Sequence, residues 1–146
     1  MVVHRGDGRG QVASFRIRPL SASLYYTVRV FRNLRTLRAY AASHRGRGNG
    51  RIAGLASSWT GYRYTGKRVV VSRNAGEILL SRTRLTGRIV SHECAHLALA
   101  WARRLKIDIV TESGRRFVSP SEERFCHALS DLVNQTYHHL YRLKVL

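Results

Sequence analysis

The sequence predicts an α+β domain in which a small, mainly antiparallel sheet is laid down first and helices then close over it. Three observations lead there. Aromatic and β-branched runs occupy residues 23–31, 52–59, 67–72 and 77–81. After Ser81 the apolar residues switch to helical spacing. With 146 residues, 44% of them hydrophobic, the chain is long enough for one core and no more.

Residues 1–13 are rich in Gly and Arg without periodicity and read as a flexible basic arm, which leaves 14–146 as a single domain. The run SLYYTVRVF suits a strand, and NLRTLRAYAAS after it places Leu34, Leu37, Tyr40 and Ala41 on one helical stripe; one long helix over residues 20–43 is the alternative. Residues 44–51, HRGRGNGR, combine glycines with cations and form a loop without the order of a phosphate-binding P-loop. Residues 52–59 and 67–72 read as strands joined by the turn-rich TGYRYTG, and EILLS at 77–81 is a further strand after Asn74-Ala75-Gly76. Leu85, Ile89, Ala95, Leu97 and Leu99 then mark a helix that runs to about residue 105. Beyond a loop containing Gly114, the string Ser119-Pro120-Ser121-Glu122 gives the hydroxyl cap, first-turn proline and early acid of a helix start, and the last helix is expected over about residues 121–143.

The formal charge is +18, and the cations are almost all arginine, since only Lys67, Lys106 and Lys144 are lysines. Arginine binds phosphate bidentately, so nucleic acid or another polyanion is one expected partner; a coding bias that writes Arg at tolerant surface positions explains the same composition. No apolar run reaches the length of a membrane span or forms a secretory leader, so no membrane partner is expected, and the expected location is the cytoplasm or, alternatively, a virion. Cys94 and Cys126 are too few for a disulfide framework and read as reduced packing residues within helices.

One string carries chemistry: His92-Glu93-Cys94-Ala95-His96. Residues four apart share a helix face, so His92 and His96 can offer two imidazole nitrogens to one Zn²⁺ at about 2 Å. Glu93 then stands beside the metal as a general base for a metal-activated water, and returns the proton to a leaving amine. A catalytic zinc needs a third protein ligand. Leu99 and Ala102 stand where the three-histidine pattern needs Gly and His, so a Glu from the next helix, Glu122 or Glu123, is the remaining solution. Glu122 lies within the apolar face defined by Phe125, Leu129, Leu132, Val133, Thr136 and Leu140. Glu123 is nevertheless favoured: the residues three, four and seven beyond it, Cys126, His127 and Ser130, are small or polar and would let the helix press close, with His127 as a hydrogen-bonding support to the site.

Strand, H-E-x-x-H helix, loop, then a helix opening with Glu resembles the gluzincins in their minimal single-domain form and the ImmA/IrrE-like proteases. The phrases IVSHECAHLALAW and EERFCHALSDLV also look like small phage-encoded proteins of this type. The resemblance covers about residues 69–141, half the chain, and implies a zincin-like fold: a small sheet on an H-E-x-x-H helix and a C-terminal Glu-bearing helix. It implies a zinc metallopeptidase cleaving a protein or peptide substrate, with His92, His96 and Glu123 on the metal and Glu93 as base. Tyr137, His138 and His139 are the candidates for the group that steadies the oxyanion in larger gluzincins. The rival expectations are a zinc-stapled structural or interaction protein, and a nucleic-acid binder working through its basic surface.

Overall fold

The computed structural model describes residues 4–5, 10–45, 52–109 and 119–146. Seven strands and three α-helices are described: β1 (His4–Arg5), β2 (Gln11–Ile17), β3 (Tyr25–Phe31), α1 (Leu34–Arg45), β4 (Gly54–Ser58), β5 (Tyr62–Thr65), β6 (Arg68–Val71), β7 (Asn74–Ser81), α2 (Gly87–Arg104) and α3 (Pro120–Arg142). The class is α+β, as expected, with a mostly antiparallel sheet.

The five-stranded sheet has the order β1-β2-β3-β7-β4, and β5 with β6 forms a separate hairpin. Three of the sheet's four pairings are antiparallel, while β3 and β7 run parallel in the middle. A parallel pair cannot be joined by a tight turn, so the chain between them crosses over through α1, β4 and the hairpin.

Side-chain alternation splits the sheet's two faces. Phe15, Ile17, Tyr26, Val28, Val30, Ile78 and Leu80 form one core with Val90, Cys94, Leu97, Ala98 and Trp101 of α2 and Ala128, Leu132 and Leu140 of α3. Phe31, Leu37, Ala41 and Leu79 make a smaller core under α1 on the other face. On that face Arg29 spans two strands, its Nε donating to Glu77 Oε2 and its Nη1 to Gln11 Oε1, both at 3.0 Å. The junction at residues 31–34 is a strand-to-helix break, not one long helix; Leu37 and Ala41 are buried as the stripe requires, with Leu34 and Tyr40 half-buried.

Several boundaries differ from the sequence reading. Strand β2 begins at Gln11, so residues 11–13 belong to the sheet and not to an arm, and His4–Arg5 pairs with it opposite Ser14 and Ala13. Residues 1–3 and 6–9 of the proposed arm, the glycine-rich loop at residues 46–51 and the loop at 110–118 lie outside the described residues. The turn-rich TGYRYTG is itself strand β5, and the true turn is Gly66-Lys67, with Gly66 at φ +60°.

Helix α2 starts where Thr86 Oγ1 accepts from the Ile89 N–H. Helix α3 starts at the predicted Ser119-Pro120, with Ser119 Oγ accepting from the Glu122 N–H at 3.1 Å. It is also tied to the segment between β2 and β3: Asp131 accepts from the Leu20 N–H at 3.0 Å, and Gln135 exchanges two hydrogen bonds with the backbone of Arg18.

Candidate metal and active site

Helix α2 lies along strand β4 at the free edge of the sheet. His92 and His96 are both exposed on its outer face, and their Nε2 atoms are 3.1 Å apart with the rings at 88°. Two imidazole nitrogens sharing a tetrahedral zinc at about 2.0–2.1 Å stand roughly 3.3 Å from each other, so this pair fits a common ion closely.

Glu93, between them in sequence, is only 6% exposed. Burial pushes its carboxyl above the usual range, against the opposing pull of His92, His96 and the Ala56 backbone N–H, which donates to it. A carboxylate tuned upward in this way is better matched to taking and returning a proton near neutral pH. Gly54 makes that burial feasible: a Cβ there would meet Glu93 Oε1 at 2.9 Å and Ile89 Cγ2 at 3.0 Å. Neither Gly54 nor Ala56 was evident from the motif, because the contact joins a backbone amide to a carboxylate 37 residues further on, counting from 56 to 93.

The third expected ligand is not brought to the pair. Glu123 is exposed and pairs with His127 Nε2 at 3.3 Å on its own helix. Cys126, His127 and Ser130, expected to press against α2, are exposed; the buried side of α3 carries Ala128 together with Leu132, Thr136 and Leu140 of the apolar stripe, so the stripe and not the small and polar residues beyond Glu123 marks the packed face. The crossing also sets the start of α3 beside the end of α2, where the Arg124 guanidinium lies 5.6 Å from the Trp101 ring. Trp101 is five residues past His96, about 7.5 Å along the helix axis. Glu122 is half-buried in the same first turn. Among the described residues no group of three or more His, Cys, Asp or Glu side chains converges to hold a metal.

Both cysteines are free, as read from the sequence, but only Cys94 is a packing residue; Cys126 faces solvent. Cys94 contacts Thr136 Oγ1 at 3.7 Å, and burial pushes its thiol up to about 11, so it stays protonated. Of the oxyanion candidates, His139 is buried against Phe15, with ring centroids 4.7 Å apart, and His138 is exposed. The Tyr137 hydroxyl lies at the first residue of α2, 3.0 Å from the position of a Cβ on Gly87. No helix among the described residues is long and apolar enough to cross a membrane.

No protein-family model, curated protein or solved structure matches the chain.

Proposed function

We propose that this chain is a zinc-dependent metallopeptidase of zincin-like architecture, and the observation that carries the reading is the 3.1 Å His92–His96 pair flanking a buried, upward-tuned Glu93 at a sheet edge. His92 and His96 would hold the metal; Glu123 would serve as the third ligand only after a shift of the first turn of α3, since it now faces solvent against His127. When bound, zinc supplies a Lewis acid for the scissile carbonyl and draws the pKa of a bound water towards neutrality. Glu93, held beside the pair, would act as the base, its carboxylate accepting a proton from the attacking water and returning it to the departing amine. Among the described strands β4 has a partner on one side only, so an extended peptide can add to its outer edge and lie across the mouth of the site.

Replacing Glu93 by Gln tests the reading. Loss of peptide hydrolysis with zinc retained is the expected result; unchanged hydrolysis sinks it.

A second reading, a nucleic-acid binder working through its basic surface, is favoured by the hairpin. Tyr62, Tyr64, Val69, Val70 and Val71 are all exposed there, beside an exposed Arg68. With a charge of +18 such a surface suits nucleic acid, through base stacking and phosphate contacts. A steep fall of DNA affinity with salt, weakened by Tyr62→Ala and Tyr64→Ala, is its signature, and a shallow slope counts against it.

A further inference from the structure

The groove between β4 and α2 continues past the histidine pair. A cavity of 160 Å³ is lined by Ala56, Ser58, His96, Ala100 and Arg103 among others. A second, of 220 Å³, is lined by Tyr26, Ser58, Trp59, Ala100 and Arg104, so the two meet at Ser58 and Ala100. His96, Ala100 and Arg104 follow one another at intervals of four and therefore share one face of α2.

The guanidinium of Arg104 is anomalous within this groove. Its Nη1 is buried and has no hydrogen-bond partner among the described residues. The neighbouring Tyr26 does not neutralise it: burial pushes that phenol up to about 12, and its hydroxyl donates to the Leu97 carbonyl at 3.4 Å. Arg104 itself lines the cavity, so an anion entering there would meet the guanidinium and, with a small turn of that side chain, give the idle donor a partner.

We propose that the Arg104 pocket is a carboxylate-recognition subsite for a peptide lying along the β4 edge. Arg104 is eight residues beyond His96, about 12 Å along the helix. An extended peptide advances roughly 3.3 Å per residue, so the recognised carboxylate sits three or four residues from the bond positioned at His92 and His96. That spacing rests on the metallopeptidase reading; the recognition of a carboxylate does not. The carboxylate is either an acidic side chain or the peptide's own C-terminus.

Binding of short synthetic peptides to the full chain tests this, followed by tryptophan fluorescence because Trp59 lines the pocket. Salt is held at about 0.15 M, so that exposed arginines are largely screened. One peptide set carries a single Glu or Gln at successive positions with an amidated end; the other lacks acids and ends in a free carboxylate or an amide. Wild type should bind one acid-bearing form about tenfold or more tightly than its neutral isostere. Arg104→Met should abolish that preference, Arg104→Lys should keep part of it, and Arg35→Met on the exposed surface of α1 should keep all of it. An internal Glu as the favoured form assigns a side chain, and a free end assigns the C-terminus. No preference in the wild type, or one that survives in Arg104→Met, overturns the proposal. Cleavage of the same peptides separates the two ideas. Hydrolysis indifferent to acids leaves the peptidase and removes the subsite, whereas Arg104-dependent binding without hydrolysis does the reverse.

Discussion

Gly54 on β4 and Glu93 on α2 approach so closely that a single methyl group at position 54 would stand 2.9 Å from the Glu93 carboxylate oxygen. The absence of a side chain at 54 therefore sets where the Glu93 carboxylate can sit. In Gly54→Ala the carboxylate must leave the Ala56 amide, and overpacking of this kind costs about 1–3 kcal/mol. Peptide hydrolysis should fall about tenfold or more while zinc content is unchanged, which turnover assays beside metal analysis will show. Full activity in this variant would mean that the Ala56 contact does not position Glu93.

Glu93→Gln should reduce hydrolysis by about a hundredfold or more, the scale of a lost general base. It should also alter stability with a defined sign. Burial raises the folded-state pKa above the ordinary 4.5, so the folded protein holds this proton more tightly than the unfolded chain does. The stability contributed by the protonated form is complete below the ordinary value and is lost as pH rises through the raised one. In zinc-free protein the Gln variant should melt above wild type at pH 8, with the gap closing in acid. A constant gap across the range would contradict the assigned cause.

Metal analysis of purified variants examines the ligands directly. His92→Ala and His96→Ala should each remove stoichiometric zinc. Glu123→Ala should do so as well, with Glu122→Ala retaining it. Loss in the Glu122 variant alone would transfer the role to that residue, and full retention in both would place the third ligand outside the first turn of α3.

His139 gives a pH effect remote from the metal. Desolvation, helped by His138 and Arg142, holds its imidazole below the ordinary 6.5. Stability is therefore present above 6.5 and is lost as pH falls from there through the depressed value, because the unfolded chain takes up the proton first. His139→Phe preserves an aromatic ring against Phe15, 4.7 Å away in the native contact. This variant should lose less melting temperature than wild type between about pH 7 and pH 5; an equal loss would point to other groups.

Much of the helical half is legible in the sequence because its signals are local. The cap at Ser119, the proline behind it and the period of α2 each act within a turn or two, and both helices begin and end within a few residues of expectation. The sheet is less legible. Strand β2 is masked by the Gly and Arg residues before it, although Ser14, Phe15, Arg16 and Ile17 alternate. The hairpin strand β5 resembles a turn in sequence because its tyrosines stand between glycines. At the site, the five-residue motif gives the His92–His96 pair. The rotation of α3 follows its own apolar stripe: Leu132, Thr136 and Leu140 are buried, and Phe125, Leu129 and Val133 pack half-buried against the core. Cys126, His127 and Ser130 stand away from that stripe, and theirs is therefore the solvent face.

The parallel pairing of β3 with β7 has a consequence for the order in which the molecule assembles. Among the described strands β4 borders β7 alone, so it joins β1, β2 and β3 in one sheet only through the β3–β7 pairing across the intervening crossover. Closing such a separation is slow compared with winding a helix. The two histidines can thus come within reach of one ion early, on a nascent α2, while the amide of Ala56 and the groove beside it arrive only with the last central strand. Metal capture should precede catalytic competence during refolding, leaving an interval in which the chain is loaded but inert.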